Sequence, residues 1–441
     1  MSVNEHRTLK NVSIMKMGDH GKNKRIWITN KKLQDVFPKG AQVIVTYNEK
    51  DREITVEESF FGATNTISGR ANGTPILDLK GSAVGETLGD VKSIDVLFFS
   101  TKIIIRVSKT EIAKEERRNK TGFNVFELFV GGSTLNTFIK EAGKHLRVPM
   151  QIIGGLDMSE DYITSFVKNN DGTDIYTITG DIADVDLSFY PKDVDILLCG
   201  IPCTTFSNAN LILRKALKNK REGKEYDKEV VQRALTGDAL TYYVIEAVRY
   251  MNVRTCVFEE VEAYTKTSSY ELLVSILTHM GYTLSEKIAT GKNTKRKRWT
   301  MVATMGSEIS LEGLNEEDNG KTIEDCLEVK SDKREWKPKS EFAPSRLNEK
   351  IGIRKHYTNE KKINTVSCHY TRGTEPILSK DFGEETYYSE LSNREIANLH
   401  GLPKSFILDD RKKYTREILG QGVTEMFFDV GVRVIQSHLS A

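Results

Sequence analysis

From residue 124 onward, apolar runs of strand length alternate with amphipathic stretches of helix length, and this alternation restricts the possible folds more than any other feature of the chain. Short strands separated by helices are typical of parallel sheets that are covered by helices on both faces. The pattern predicts an α/β fold with a doubly wound sheet, in which ligands bind beyond the carboxyl ends of the strands. The expected strands cover residues 125–130, 151–155, 195–198, 255–258 and 299–304, and the expected helices cover residues 135–142, 161–168, 239–250, 270–280, 393–399 and 424–437.

The residues before this region predict a separate, mainly β domain, residues 1–108, followed by a charged linker at residues 109–122. The two halves of this domain share one order of elements, a strand, a short helix, a turn and two strands, which indicates an internal duplication. The arrangement resembles the swapped-hairpin DNA-binding modules of bacterial transition-state regulators; a general small β domain is the alternative. Its expected strands cover residues 26–29, 42–47, 53–57, 75–79, 94–99 and 103–107.

Cysteine usage and the length of the apolar runs exclude several classes of protein. The five cysteines are an odd number without a Cys-x-x-Cys pair, which argues against a disulfide framework and against a metal site. No apolar run approaches the roughly 20 residues that a membrane helix needs. Residues 1–10 also lack the apolar core of a signal peptide, so we expect a cytoplasmic protein.

Basic residues are unevenly distributed along the chain. The net charge is only +2, yet lysines and arginines cluster in residues 211–228 and 330–362. Either cluster alone is most simply a solvated face. Because both flank the α/β region, we expect them to suit a phosphate backbone.

The sequence Gly-Ile-Pro-Cys-Thr-Thr-Phe-Ser begins at Gly200 and directly follows an expected strand. A cysteine beyond a strand end, after a proline that stiffens the turn, is placed to project into a cleft. Carbon 5 of cytosine accepts a methyl group only after a nucleophile has added to carbon 6, and a thiolate is suited to that addition. Cys203 is therefore the candidate nucleophile, and a buried inert cysteine is the alternative.

Three other strand ends carry candidate ligand-binding residues. Phe129, Val130, Gly131 and Gly132 follow the first α/β strand, and glycines there allow the backbone to approach a nucleotide-like ligand closely. Asp157 follows the second strand and suits ribose hydroxyls. Asp181, in the sequence Gly-Asp-Ile, could accept a hydrogen bond from an adenine amino group, although an aspartate at a strand end is also a common cap.

A carboxyl group and two arginines complete the candidate chemistry. Glu259 ends the strand at residues 255–258, where its carboxyl group could hold the ring nitrogen of cytosine and ease attack at carbon 6. Arg296 and Arg298 open the next strand and could hold a flipped base or its phosphate.

The order of these elements resembles the DNA cytosine-5 methyltransferase family from residue 124 to residue 441. The family's Pro-Cys-x-x-Phe-Ser, Glu-Asn-Val and Gln-x-Arg-x-Arg motifs correspond to the segments at Pro202, Glu259 and Thr294. Later elements correspond to residues 365–377, 394–403 and 420–423. The chain departs from the family pattern at Glu127, Ser133, Thr134, Glu260, Thr294 and Gln421, which marks it as a divergent member.

The resemblance implies a DNA (cytosine-5) methyltransferase that uses S-adenosylmethionine and forms a covalent Cys203 adduct with a flipped cytosine of double-stranded DNA. It adds Pro202 and Gln421 to the cofactor-binding residues. It implies a catalytic core at residues 123–304, a target-recognition region at residues 305–363, and a return to the core at residues 364–441. It also suggests a restriction–modification system for phage defence, with a cognate restriction endonuclease as a candidate partner.

Two other functions remain open on the sequence. An RNA (tRNA) cytosine-5 methyltransferase would share this core. A catalytically weak protein that regulates transcription by binding DNA is favoured by the altered cofactor loop but disfavoured by the intact Cys203 and Glu259.

Overall fold

A computed structural model describes the chain and divides it into two compact units, Met1–Asn119 and Lys120–Ala441. In the second unit, the side chains of residues 230–238 are not described. The described residues are 9–29, 31–108, 111–112, 122–170, 175–202, 215–216, 218–220, 222–225, 227–316, 318–342, 355–368 and 376–440.

Antiparallel strands and the short helices α1 (Lys31–Val36) and α2 (Ser82–Leu88) make up most of the described residues of the first unit. Its strands are β1 (Leu9–Lys16), β2 (Gly18–His20), β3 (Asn23–Ile28), β4 (Gln42–Asn48), β5 (Glu53–Glu58), β6 (Asn65–Thr66), β7 (Ser68–Gly69), β8 (Pro75–Gly81), β9 (Ser93–Phe99) and β10 (Lys102–Val107). They form one sheet in the order β1-β9-β10-β5-β4-β6 and a second in the order β2-β3-β8-β7.

The two halves of the first unit repeat one another. Helix α1 follows β3 and α2 follows β8, and each helix leads into a hairpin, β4–β5 or β9–β10. The expected order of elements is confirmed. Core residues repeat at one constant spacing, which supports the expected duplication: Ile26 with Leu77, Ile28 with Leu79, Leu33 with Val84, Phe37 with Leu88, Val43 with Ile94 and Val45 with Val96.

The second unit is built on a seven-stranded mixed sheet in the order β13-β12-β11-β14-β15-β17-β16. The first five strands in that order are parallel, and β17 is antiparallel to both of its neighbours. The expected α/β architecture is confirmed. The strands are β11 (Phe123–Leu128), β12 (Met150–Asp157), β13 (Tyr176–Thr179), β14 (Ile196–Gly200), β15 (Thr255–Glu260), β16 (Thr283–Thr290) and β17 (Lys297–Thr304).

Helices cover both faces of this sheet. The helices are α3 (Thr134–Leu146), α4 (Glu160–Lys168), α5 (Lys228–Met251), α6 (Ser268–His279), α7 (Ile323–Cys326), α8 (Asn393–Leu399), α9 (Lys412–Gln421) and α10 (Met426–Leu439). Successive residues of β15 point to opposite faces, so Val257 joins a core with α3 and α10, whereas Phe258 joins a core with α5 and α6. Among the described residues, no helix is long and apolar enough to cross a membrane.

The sequence did not predict β13 and β16, the two edge strands of the sheet. Most of their residues are exposed or half-buried, unlike the buried residues of β15. Edge strands lack the continuous apolar run of a strand that is covered on both faces, which explains why the apolar pattern missed them.

A small sheet follows the core, and it extends beyond the expected boundary at residue 363. Its strands are β18 (Lys337–Pro338), β19 (Lys355–His356), β20 (Ile377–Phe382) and β21 (Glu385–Ser389), in the order β18-β21-β20-β19. Residues 364–441 were expected to return to core helices, but β20 and β21 form a hairpin that pairs with β18 and β19. Gly383 turns this hairpin with a φ of 65°, a conformation that glycine adopts without strain. Helix α8 has the expected bounds, and α9 was not expected.

Candidate active site

The expected site residues follow the carboxyl ends of the five parallel strands, so the fold brings them to one edge of the sheet. Phe129 to Gly132 follow β11, and Asp157 is the last residue of β12. Asp181 follows β13, Pro202 follows β14, and Glu259 lies within the last two residues of β15. Half-buried Pro202 is described, whereas Cys203 and the rest of its motif lie outside the described residues.

The loop after β11 has an unusual backbone that its neighbours hold in place. Phe129, Gly131 and Ser133 have φ angles of 59°, 47° and 66°. The Gly131 N–H donates to Asp157 Oδ2 at 3.0 Å. Val130 was expected to contact the cofactor, but its side chain lies in the core and its N–H donates to the carbonyl oxygen of Leu156. The accessible part of the loop is therefore formed by the half-buried Phe129 and Gly131, whereas Gly132 is buried.

Ser133, which replaces a family glycine, is the centre of a buried hydrogen-bond network. Its hydroxyl donates to Asn136 Oδ1 at 2.9 Å and accepts from Asn170 Nδ2 at 2.9 Å. The Asn136 amide in turn donates to the Glu127 carboxyl group, whose pKa burial raises to about 8. The network links the loop to β11, α3 and the end of α4. The hydrogen bonds of the Ser133 side chain therefore stabilise the loop at a position where the family has glycine.

The C-terminal helices brace the same loop. Val423 N–H donates to the hydroxyl of Thr134, the second residue that replaces a family glycine, at 3.1 Å. A Cβ atom on Gly132 would lie 1.9 Å from Ile418 Cγ2. The loop therefore depends on close packing against α9.

This packing leads to a prediction for Gly132→Ala. The added methyl group overlaps Ile418, so we expect the loop to shift and the affinity for S-adenosylmethionine, the cofactor that the sequence resemblance implies, to fall at least about tenfold, with about 1–3 kcal/mol lost in the free energy of unfolding. Isothermal titration and urea unfolding measure the two effects. The double variant Gly132→Ala/Ile418→Ala should regain part of the affinity, and no gain from the second substitution would contradict the packing argument.

The two candidate acidic ligands differ in environment. Asp157 is buried and receives the N–H groups of Gly131 and Ser159, which oppose the rise in its pKa that burial causes. Asp181 is exposed and caps the following turn by accepting from the Ala183 N–H at 3.0 Å. Met158, which the sequence analysis missed, is 74% exposed directly after Asp157. Both acids therefore lie at this edge, beside an exposed apolar side chain.

Glu259 and Arg298 form a buried ion pair across β15 and β17. Arg298 Nε lies 2.7 Å from Glu259 Oε1, and both side chains are about one-tenth exposed. Burial raises the pKa of Glu259, although Arg298 and Arg296 oppose the rise. Glu259 pairs in register with Gly200 of β14, three residues before Cys203. The fold therefore brings the carboxyl group next to the chain that leads into the expected nucleophile.

Arg296 has a different set of contacts from Arg298. It is 1% exposed and donates to the backbone carbonyl oxygens of Val366 and Gln421. These bonds hold the segments that pack beside β17. We conclude that Arg298 faces the Glu259 carboxyl group, whereas Arg296 joins parts of the chain that are distant in sequence.

Gln421 lies beside α4. Its side-chain oxygen accepts from the Tyr162 hydroxyl at 3.1 Å, and that hydroxyl also donates to Glu417 at 2.9 Å. Tyr162 and Tyr414 stack with ring centroids 5.6 Å apart. These tyrosines and Glu417 were not singled out from sequence, because only the packing of α9 against α4 brings them together.

Some expected features cannot be placed. Residues 369–375, which belong to the family element expected at residues 365–377, lie outside the described residues, as do parts of both basic clusters. Among the described residues, no group of three or more His, Cys, Asp or Glu side chains could hold a metal ion.

Comparisons with known proteins agree with this geometry. The model of the family described as C-5 cytosine-specific DNA methylase matches residues 123–426. The type II methyltransferase M.NlaX of Neisseria lactamica is 21% identical over 296 residues, which are 64% of this chain and 87% of that protein. The structure of S. pombe Dnmt2 methyltransferase is similar with a TM-score of 0.53 and 18% identity, covering 72% of this chain and 98% of that one. The Entamoeba histolytica methyltransferase EhMeth has a TM-score of 0.53 and 16% identity, covering 73% and 99%.

Proposed function

We propose that this chain, which belongs to the C-5 cytosine-specific DNA methylase family, transfers a methyl group from S-adenosylmethionine to carbon 5 of a cytosine in double-stranded DNA. The observation that carries the proposal is the buried pair of Glu259 and Arg298 beside the chain that leads from Gly200 into Cys203. Such a pair holds a carboxyl group next to a nucleophile, which is the arrangement that addition to a pyrimidine ring requires.

The residues at the ends of β11, β12 and β13 fit S-adenosylmethionine. Asp157 offers a fixed carboxylate for ribose hydroxyls, and the exposed Asp181 offers an acceptor for an adenine amino group. The exposed thioether of Met158 suits the flat face of a purine. The bound cofactor supplies an electrophilic methyl group.

The protein residues act on the base. The cytosine leaves the base stack to reach the site, and the Cys203 thiolate forms a bond to carbon 6. Glu259 holds a proton at ring nitrogen 3, which draws electron density from carbon 6, and Arg298 keeps the Glu259 carboxyl group in place. The electron pair that the addition puts at carbon 5 forms the bond to the methyl group, whose bond to the cofactor sulfur would break and leave its electrons on that sulfur. Carbon 5 then loses its proton to solvent or a nearby base, and the bond between Cys203 and carbon 6 breaks.

The small sheet supports nucleic acid as the substrate. The ammonium group of Lys380 lies 5.2 Å from the ring centre of Phe382 and 5.8 Å from that of Trp336. Phe382 is 48% exposed. Basic side chains interleaved with exposed aromatic rings suit contacts with phosphates and bases. We assign target recognition to residues 305–389, which include this sheet, and expect methylation there to protect DNA from a cognate restriction endonuclease.

Bisulfite sequencing of host DNA after expression of this chain tests the proposal. We expect cytosines in one recurring sequence context to be protected from conversion, and this protection should require Cys203. Methyl incorporation into tRNA but not into duplex DNA would favour the RNA methyltransferase instead. A protein that binds neither S-adenosylmethionine nor its demethylated product would favour a DNA-binding regulator.

Removal of the first unit gives a further prediction. The fragment 109–441 should fold and keep measurable methyl transfer, because every residue of the candidate site lies in the second compact unit. Its DNA affinity should be lower than that of the full chain, or its site preference different. Methylation rate and DNA affinity of the fragment and the full chain are the measurements. A folded fragment that is inactive on every DNA tested would place the first unit in the catalytic machinery.

A further inference from the structure

Glu260 is a buried carboxyl group with one oxygen that lacks a partner. It ends β15, where it pairs in register with Trp299 of β17, and it is 1% exposed. Its Oε2 accepts from the N–H of Val261, whereas its Oε1 is buried without a hydrogen-bond partner among the described residues. A buried polar atom without a partner is costly, so this oxygen calls for a functional explanation.

Among the described residues, the one cation that acts on Glu260 is Arg298, and it is already engaged by other groups. Glu259 precedes it on the same strand, Cys199 lies on β14, and Arg298 lies on β17. Arg298 is engaged by Glu259 through Nε and by the carbonyl oxygen of Lys297 through a terminal nitrogen. On the face of the sheet that Trp299 occupies, Tyr264 and Tyr270 pack against its indole ring, and Glu286 accepts from the indole N–H.

Two adjacent buried carboxyl groups beside one arginine cannot both ionise without a large cost. Arg298 stabilises the charge of Glu259 by contact, whereas the part of the chain that the structure describes offers Glu260 a single N–H donor, that of Val261. Burial first, and the neighbouring Glu259 second, raise the pKa of Glu260 well above its usual value. The neutral form of Glu260 is therefore the one that the fold stabilises.

We propose that Glu260 is a positioning residue that acts as a neutral acid, donating its O–H at Oε1 to the backbone of Ile201 and Pro202, the residues that lead into Cys203. This inference rests on the proposed function. The family has asparagine at this position, and a neutral carboxyl group offers the same pair of groups as an amide, one acceptor and one donor.

The strand register places Glu260 beside this backbone. Cys199 pairs with Phe258 and Gly200 with Glu259, so the chain beyond Gly200 continues alongside Glu260. Ile201, the next residue, is 2% exposed and belongs to the same hydrophobic core as Phe258. Ionisation of Glu260 removes the donor and puts a second negative charge beside Glu259, which weakens the hold on the chain that carries the nucleophile.

The first test compares the pH dependence of single-turnover methylation in the wild type and in Glu260→Gln, from about pH 6 to about pH 10. Glutamine keeps the acceptor and a donor at every pH, so the ratio of its rate to the wild-type rate should rise with pH, by up to about tenfold per pH unit once Glu260 ionises. The ratio cancels the titration of Cys203, which both proteins share. Glu260→Asn should behave like Glu260→Gln, and the exposed Glu271→Gln should give a ratio that does not change with pH. A constant ratio for Glu260→Gln overturns the proposal.

A second test does not depend on methylation and so separates this inference from the proposed function. An acid whose pKa is raised by folding keeps its proton in the folded state after the unfolded chain has lost it. The wild type should therefore lose stability relative to Glu260→Gln as pH rises from the unfolded pKa toward the folded one, about tenfold in the unfolding constant per pH unit. Urea unfolding measures this difference, and a difference independent of pH overturns the proposal.

Hydrogen exchange tests the positioning role directly. At one fixed pH, the peptide that spans residues 200–207 should exchange faster in Glu260→Ala than in the wild type, whereas Glu260→Gln should match the wild type. Equal exchange in all three proteins overturns the role of Glu260 in holding this segment. If methylation is absent but the unfolding and exchange results are as expected, the proposed function fails and the assignment of Glu260 stands.

Discussion

Cys203→Ser is expected to lower methyl transfer by about four orders of magnitude or more, while fold and cofactor affinity stay close to those of the wild type. The reason is chemical, because a serine hydroxyl holds its proton at neutral pH and is a far weaker nucleophile than a thiolate. Single-turnover transfer of a labelled methyl group from S-adenosylmethionine measures the loss. Near wild-type transfer by the serine variant would sink the assigned mechanism.

A trapping experiment identifies the attacking sulfur atom. A duplex with 5-fluorocytosine at the target should form an adduct that survives a denaturing gel, because fluorine cannot leave carbon 5 as a proton does. The adduct should be absent in Cys203→Ala. Cys199 is the nearest alternative in sequence, but it is fully buried and burial raises the pKa of its thiol well above the usual value. Persistence of the adduct in Cys203→Ala would nevertheless assign the attack to another cysteine.

The strand ends that carry the site were predictable from the sequence because they depend on local patterns. Buried parallel strands have continuous apolar runs, and polar residues such as Asp157 and Glu259 stand out where those runs end. The position of Glu259 beside Gly200 then follows from the order of parallel strands. Local patterning therefore predicted which polar residues lie at this edge of the sheet.

Contacts between distant segments were not predictable in this way. The Ser133 hydroxyl binds Asn170, and Arg296 binds the backbone of Gln421 more than a hundred residues away. Neither contact leaves a periodic signal, since each depends on how helices pack after the sheet has formed. Ser133 and Thr134 depart from the glycines of the family pattern. Long-range contacts explain both residues, because the Ser133 hydroxyl binds Asn170 and the Thr134 hydroxyl binds the Val423 N–H.

The edge strands and the small sheet were missed for a related reason. The residues of β16 are mostly half-buried, and β20 and β21 form a short hairpin with a polar turn. An apolar pattern is weak where one side of a strand faces solvent. The extent of the small sheet, and with it of the proposed recognition region, therefore depends on pairing that only the structure reveals.

Glu259→Gln is expected to reduce the methylation rate by about two to four orders of magnitude, with much smaller effects on cofactor and DNA affinity. Glutamine fills the same space but cannot give or take a proton, and its amide loses the ion pair with Arg298.

Burial raises the pKa of Glu259, so the wild-type carboxyl group keeps its proton to a higher pH than a free glutamate. Above that pKa the carboxylate is fixed in the ion pair with Arg298 and cannot supply the proton at ring nitrogen 3, so the wild-type rate should fall on the alkaline side and Glu259→Gln should lack that fall. Glu262→Gln is the matched control, since Glu262 lies on the adjoining turn and pairs with Lys297 near the surface. A methylation rate for Glu259→Gln within a fewfold of this control would show that the carboxyl group has no part in activating the base.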